Sequence, residues 1–245
     1  MSTESARRSE TLEALVALYL RLNGYFCITN YLQHRSAGFG LETESDVLAL
    51  RMPHQTEVLP DGRVQPNDER LVLPKSLPYR DCIIAEVKES TIEFNRSMRG
   101  ANGAGRIIQA IRMFGVLPEE AFKDGGAGST MAKELRAKIE AAEWPAIPHA
   151  VLGDLGLSVR MIVFAPRDAL RSSRRAFVDL EHVFGFVRDR MIPAGGCSEY
   201  RGPEFSPWRG TTRLIVASLD EAFITGVPDY SLAGLLADVE KRWPK

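Results

Sequence analysis

The sequence predicts an α/β fold, in which amphipathic helices alternate with strands that carry buried apolar runs. Apolar residues recur at helical spacing over 12–22, and the Asn-Gly pair at 23–24 is a typical helix end. Runs of mostly apolar residues at 82–85 and 159–165 have the length and composition of buried strands. With 245 residues, of which 44% are hydrophobic, the chain is long enough for one domain with its own core.

The other elements are expected in chain order around these three. Strands are expected at 25–28 and 45–49, and a helix at 106–114 is expected to end at Gly115, because glycine is favoured just past a helix end. The last third is expected to form a C-terminal β-α-β-α extension. Its elements are a strand at 159–165, a helix at 176–191, a strand at 211–218 and a C-terminal helix at 231–243.

An insertion is expected between the second and third strands. It covers 55–81 and contains Asp61-Gly62, a pair that suits a hairpin turn with positive φ. Two roles are open for this hairpin: a flap that contacts a substrate, or a solvated hairpin without a functional role.

The most informative motif is Ala85-Glu86-Val87-Lys88, at the end of the third strand. Because alternate residues of a strand share a face, Glu86 and Lys88 point the same way while the other two pack inward. Asp46 lies in the neighbouring strand. Two acids can hold a hard divalent cation, and a lysine beside them can position a water or a phosphate oxygen. The pattern therefore predicts a metal-dependent phosphodiesterase site on an exposed strand end.

In this order of elements, the motif resembles the PD-(D/E)xK nuclease superfamily, which has the restriction-endonuclease-like fold. The resemblance covers about 10–115. It implies a three-layer core with a central mixed sheet flanked by helices. The first helix also resembles that of the archaeal Holliday-junction resolvases, where a helical Glu, here Glu13, precedes a Gly-aromatic pair, here Gly24-Tyr25. The expected organisation is a single nuclease-like domain with its core at about 10–115 and 155–220.

The resemblance implies roles for individual residues. Asp46 and Glu86 would hold Mg²⁺, with Mn²⁺ as an alternative, and Glu13 would join the metal site through a second metal or a bridging water. Lys88 would orient the nucleophile or stabilise developing charge. Gln109 occupies a place comparable to that of a glutamine that supports the active site in several branches of the superfamily. A solvated glutamine on a surface helix is the alternative.

The chain departs from the family pattern in two places. Glu44-Ser45-Asp46 stands where the family often has Pro-Asp, so Glu44 is a competing or additional ligand. The insertion at 55–81 makes the separation between Asp46 and Glu86 long.

Nucleic acid is the expected partner, with DNA favoured over RNA. The formal net charge is −1, so phosphate contacts must come from a local basic patch rather than from a global field. Five arginines on or beside the predicted helices are the candidates, with a solvated basic face as the alternative for each: Arg106, Arg112, Arg171, Arg174 and Arg175.

Composition and motifs limit the other classes. The three cysteines lack Cys-x-x-Cys spacing, which argues against a zinc site or a disulfide framework. No run is apolar enough for a signal peptide or a membrane span, so a cytoplasmic protein with no membrane partner is expected. A homodimer through the apolar residues of the C-terminal helix is an alternative to their packing in the core. Those residues are Leu232, Leu235, Leu236, Val239 and Trp243.

The sequence thus predicts an endonuclease that depends on Mg²⁺. One alternative is a catalytically silent nuclease-fold module that binds nucleic acid or serves as a scaffold. Another is an unrelated α/β protein in which Glu86 and Lys88 form a chance surface pair.

Overall fold

Most of the chain is described by a computed structural model, which covers residues 3–34, 41–58, 62–72, 78–141, 143–167, 175–191, 209–227 and 230–243. The side chains of 32–34, 41–44 and 57 are not among those described. The helices are α1 (Thr3–Leu22), α2 (Arg96–Arg99), α3 (Gly103–Met113), α4 (Ala127–Glu140), α5 (Leu180–Met191), α6 (Gly210–Ile224) and α7 (Leu232–Arg242). The strands are β1 (Phe26–His34), β2 (Leu41–Arg51), β3 (Glu57–Val58), β4 (Val64–Gln65), β5 (Arg80–Val87), β6 (His149–Leu152), β7 (Leu157–Ala165) and β8 (Val178–Asp179).

A mixed sheet forms the centre of the fold. Its strand order is β1-β2-β5-β7-β6, with β8 also paired to β7. Neighbours β1, β2 and β5 are antiparallel, whereas β5 and β7 are parallel. Every residue of β7 is buried, as expected for a strand covered on both faces.

Helices cover both faces of this sheet. Because side chains alternate along β5, Ile83, Ala85 and Val87 enter a core cluster with α1, α5, α6 and α7, on what we call the α1 face. Cys82 and Ile84 enter a second cluster with α3 and α4, on the α3 face. The coarse prediction of an α/β fold with a mixed sheet flanked by helices is therefore confirmed.

The ends of two helices follow the sequence signals. Gly24 after α1 has φ +82° and Gly115 after α3 has φ +65°, the left-handed region that glycine adopts without a Cβ clash. The apolar positions that predicted α1 are buried, and Ala17 and Leu20 are buried with them, so the helix is enclosed on all sides over 15–20. Among the described helices, none is long and apolar enough to cross a membrane.

The predicted insertion lies between β2 and β5, which are neighbours in the sheet. β3 and β4 pair as an antiparallel hairpin, and Gly62 beside β4 has φ +83°, while Asp61 lies outside the described residues. The segment after the hairpin is anchored through the buried Asp68. Its carboxylate accepts a hydrogen bond from Tyr19 Oη at 2.7 Å and lies 2.5 Å from His182 Nε2. The insertion is therefore partly integrated in the fold, and substrate contact by the hairpin remains a prediction.

The predicted β-α-β-α extension is wrong in one element. Residues 211–218 lie in α6 and not in a strand. The β-branched residues at the start of this segment favour a strand locally. The segment continues for 15 residues, however, and its buried side chains form a helical stripe. These are Thr211, Ile215, Ser218, Leu219 and Ala222.

Two further differences concern the sheet. The helix predicted at 176–191 begins at Leu180, because Val178–Asp179 form β8 and pair in parallel with the end of β7. β6 has only 4 residues, too few for the sequence to show a strand pattern. Together with α4, it lies between the two predicted core segments and packs with them.

Most apolar residues of the C-terminal helix pack in the core. Leu232, Leu235 and Val239 are buried in the α1-face cluster, and Leu236 and Trp243 are partly buried against it. The predicted core packing is confirmed for the first three residues. The homodimer remains a prediction.

Candidate active site

Asp46 and Glu86 meet where the ladder between β2 and β5 ends. The last pair is Val47 with Ala85, so the next position places Asp46 opposite Glu86, on the α3 face. Val87 N–H donates a hydrogen bond to Asp46 Oδ2 at 2.6 Å and so satisfies a backbone donor at the end of the ladder. Glu86 is fully buried and Asp46 is 8% exposed. The prediction that Glu86 lies on an exposed strand end is therefore wrong, because the segment after β5 folds back onto the Glu86 carboxylate.

Lys88 joins the two acids. Its Nζ donates to Glu86 Oε2 at 2.6 Å and lies 3.9 Å from Asp46 Oδ2. Its side chain is 21% exposed, so the ammonium lies between the buried carboxylates and solvent. Burial lowers the pKa of Lys88, but the charges of Glu86 and Asp46 raise it more, and the net direction is upward. Lys88 is therefore a stable cation at the point where two anions converge.

Asn95 is a site residue that the sequence pattern did not reveal. Its Oδ1 accepts a hydrogen bond from Lys88 Nζ at 3.0 Å, and its Nδ2 donates to Glu86 Oε1 at 3.1 Å. An asparagine just before a helix ordinarily caps it, and Asn95 immediately precedes α2, yet its side chain makes no capping hydrogen bond. The amide instead fixes the ammonium and the carboxylate relative to each other. We call Asp46, Glu86, Lys88 and Asn95 the acid–lysine cluster.

The loop that carries Asn95 is held in place by buried contacts. Phe94 is buried with its ring centre 5.8 Å from that of Trp144. Arg175 donates to Glu93 Oε1 at 3.0 Å, and its guanidinium lies 4.5 Å from the centre of the Trp144 ring. The hydrogen bond from Arg175 lowers the pKa of Glu93. Arg175 therefore anchors this loop, and its contact with nucleic acid remains a prediction.

Glu13 borders the cluster from the other helix layer. It is half-buried on α1, and its Oε1 accepts a hydrogen bond from Ser9 Oγ at 3.1 Å. Its charge also contributes to the raised pKa of Lys88. The structure thus places Glu13 within electrostatic reach of the lysine, and its role as a metal ligand remains a prediction.

Gln109 and Arg106 lie on α3, which covers the same face of the sheet as the cluster. Gln109 is half-buried, and its Oε1 accepts a hydrogen bond from Arg106 Nη1 at 3.3 Å. Arg106 is only 3% exposed. The expectation that Arg106 contacts a phosphate is therefore wrong, because its guanidinium lies in the interior. Support of the active site by Gln109 remains a prediction.

The remaining predicted arginines do not form a basic patch in the described part of the chain. Arg112 is exposed, but it forms an ion pair with Glu119 and its guanidinium lies 4.9 Å from the centre of the Phe122 ring. Arg171 and Arg174 lie outside the described residues, as does the side chain of Glu44. Each described arginine of the predicted set is thus engaged within the chain.

The carboxylates of the cluster suit a cation that takes most of its ligands from water or substrate rather than from the protein. Within the described residues, His, Cys, Asp and Glu form no group of three or more that could hold a metal ion. The acid–lysine cluster supplies two carboxylates, Asp46 and Glu86. Mg²⁺ is usually bound through one or two carboxylates, with waters and substrate phosphates completing its shell. The two carboxylates therefore fit Mg²⁺ better than a cation that needs a complete protein cage.

Comparisons with known proteins do not assign the chain to a family. No protein-family model, curated protein or solved structure matches it.

Proposed function

We propose that the protein is a metal-dependent nuclease that hydrolyses phosphodiester bonds in nucleic acid, with DNA as the favoured substrate. The observation that carries the proposal is the convergence of two buried carboxylates and one ammonium at the end of adjacent strands. The element order supports a restriction-endonuclease-like fold: α1 and β1 precede the strand with Asp46, and α3 follows the strand with Glu86.

The burial of Glu86 argues against a chance surface pair. A buried carboxylate costs several kcal/mol of desolvation unless it is paired and hydrogen-bonded, and even a paired one is often no more stabilising than an apolar residue of similar size. Stability alone therefore gives little reason to bury Glu86 beside Asp46. Clusters of this kind, in which charges perturb one another at the edge of a fold, are enriched at functional sites.

Asp46 and Glu86 are the residues that would hold Mg²⁺ or Mn²⁺, and Glu13, which forms no group of three with them, would contribute through a bridging water. When bound, such a cation polarises a phosphate oxygen and lowers the pKa of an attached water. The hydrogen bond from Val87 N–H keeps the Asp46 carboxylate fixed at the end of the ladder.

Lys88 supplies the positive charge that the chain itself contributes to the reaction. Its ammonium is held beside the two carboxylates, so a phosphate bound there meets it directly. Negative charge that develops on a phosphate oxygen in the transition state is stabilised by a cation already in place. Asn95 limits the movement of this ammonium through its own hydrogen bond.

A cleavage assay on the purified full chain tests the proposal. Linear duplex DNA, circular duplex DNA, single-stranded DNA and RNA are each incubated with Mg²⁺, with Mn²⁺ and with chelator. We expect cleavage with either metal and none with chelator. Tight binding without cleavage under all conditions would support the silent module instead, and absence of both binding and cleavage would contradict both functions.

Asn95→Ala is expected to lower the cleavage rate about 10- to 100-fold, the usual effect of removing a residue that orients metal-site groups. The variant loses the acceptor for Lys88 and the donor to Glu86 at once. The rate at saturating substrate should fall while substrate affinity stays near the wild-type value. Asn102→Ala is the matched control, because Asn102 is exposed and makes no capping hydrogen bond before α3. A positioning role for Asn95 would be contradicted if both variants lost the same fraction of the cleavage rate, or if a lower melting temperature of Asn95→Ala explained its slower cleavage.

A further inference from the structure

A groove of about 350 Å³ opens between α1, β1 and the start of α6. Its wall includes Glu13 on α1, Asn30 on β1 and Arg209 just before α6. β1 is the edge strand of the described sheet. The groove therefore runs along one side of the fold, outside the helix layer that carries α3 and α4.

The groove borders the acid–lysine cluster through Glu13, which lines the groove and lies within electrostatic reach of Lys88. Thr29 pairs with Val47 and Tyr31 pairs with Ser45, so Asn30 lies opposite Asp46 in the β1–β2 ladder. Asn30 is exposed and has φ +55°, an unusual conformation for a residue other than glycine. The groove lies on the α1 face and the two carboxylates on the α3 face, so a nucleic-acid strand that occupies both would pass around the edge of the sheet at Asn30.

Two arginines line this groove, together with the carboxylates of Glu10 and Glu13. Arg21 and Arg209 are exposed, and within the described part of the chain neither guanidinium is ion-paired with a carboxylate. The carboxylate of Glu10, which also lines the groove, accepts a hydrogen bond from Thr211 Oγ1 at 2.6 Å. Within the described residues, the absence of a carboxylate partner distinguishes Arg21 and Arg209 from Arg112 on α3, which is paired with Glu119.

The groove extends beyond a single phosphate. Arg21 follows Glu13 by about two turns of α1, which is about 12 Å along the helix axis at 1.5 Å per residue. Phosphates of one duplex strand are spaced by about 3.4 Å along the helix axis. Arg21 can therefore reach a phosphate about three nucleotides away from one held near Glu13.

We propose that this groove holds the phosphodiester backbone of the nucleic acid that the acid–lysine cluster cleaves, with Arg21 and Arg209 as its phosphate contacts. The inference rests on the proposed function for the class of ligand. Contacts of this kind position the substrate and carry no base specificity, so they are expected to act equally on different sequences.

Binding measured without cleavage tests the groove. Fluorescence anisotropy of labelled duplex DNA in chelator gives the dissociation constant over a series of salt concentrations, for the full chain and for Arg21→Ala/Arg209→Ala. Each lost phosphate contact lowers the slope of log K against log salt by about 0.9, so the double variant should lose about 2 from the slope. The decrease in this slope should be the same for two DNA duplexes of unrelated sequence. Arg112→Ala is the matched control and should leave the slope unchanged, because Arg112 is paired and lies outside the groove.

The outcomes separate this inference from the proposed function. An unchanged slope in the double variant, or a larger loss in Arg112→Ala, overturns the groove even when the wild-type protein cleaves DNA. A reduced slope in a protein that never cleaves with Mg²⁺ supports the groove and overturns the nuclease. A wild-type protein that binds no nucleic acid overturns both. Melting temperatures of the variants, which alter exposed side chains only, should match the wild type.

Discussion

Lys88→Ala is expected to reduce cleavage by at least about 10²-fold, the effect of removing one preorganised group that stabilises transition-state charge. Metal binding should survive and become tighter. The reason is that the ammonium lies 2.6 Å from Glu86 Oε2 and 3.9 Å from Asp46 Oδ2, where it competes with a divalent cation for the same anions. Titration calorimetry with Mn²⁺ measures the affinity, and single-turnover assays measure the cleavage rate.

Asp46→Asn and Glu86→Gln are the matched comparison, and both should lose metal affinity together with cleavage. Each removes one anionic ligand, while Asn at 46 can still accept the hydrogen bond from Val87 N–H. Metal affinity should fall in these two variants and rise in Lys88→Ala, and this difference distinguishes the loss of a metal ligand from the loss of the lysine charge. Because Lys88 is the ion-pair partner of a fully buried Glu86, thermal unfolding has to be measured for every variant. Cleavage at the wild-type rate in Lys88→Ala would falsify this mechanism.

The fold was predictable where one periodicity dominates a segment. The alternation of side-chain direction along 82–87 correctly predicts that Ala85 and Val87 pack in the same core cluster. The helical spacing of apolar residues in 12–22 correctly predicts α1. The strand predicted at 211–218 failed, because β-branched residues open a segment that is long enough for a helix and packs like one. Local propensity was overridden there by packing across the whole segment.

The candidate site was predictable only where residues share a strand or an adjacent strand. Asp46, Glu86 and Lys88 come together as the order of strands implied. Asn95 did not follow from the sequence, because its contact with Glu86 depends on how the loop after β5 folds back, and that path is set by buried contacts of Phe94 and Arg175. An asparagine before a helix predicts a cap and nothing about a neighbouring carboxylate.

A second buried charge cluster lies on the opposite face of β5, near the other end of the strand. Arg160 is fully buried, and its Nε and Nη2 donate to the carboxylate of Asp81. Tyr25 Oη and Ser158 Oγ also donate to Asp81, at 2.5 Å and 2.9 Å. Arg160 Nη1 donates to the Leu71 carbonyl at 2.6 Å. All of these groups are enclosed by the fold, so the Asp81–Arg160 pair is a structural network of the interior. Lys88 is partly open to solvent, so the acid–lysine cluster is the one that a substrate could reach, as the proposed function requires.

Arg160→Met is therefore expected to lower the free energy of unfolding by about 3–5 kcal/mol, because it leaves the Asp81 carboxylate buried without its counter-ion. Asp81→Asn/Arg160→Met should recover part of that loss, since the Asn Oδ1 accepts the hydrogen bond from one of Tyr25 and Ser158 and its Nδ2 can donate to the hydroxyl oxygen of the other, without a buried charge. Urea unfolding measures the free energy of unfolding of both variants, and an unchanged slope against urea concentration shows that the same transition is compared.

Arg136→Met, which removes a surface ion pair with Glu140, is the control and should change the free energy of unfolding by less than about 1 kcal/mol. A double variant less stable than Arg160→Met would show that the charge of Asp81 is favourable by itself. Asp81 and Glu86 lie about 17 Å apart along β5 at 3.3 Å per residue, so the two clusters should act independently. We therefore expect the folded fraction of Arg160→Met to cleave at the wild-type rate although its free energy of unfolding is lower.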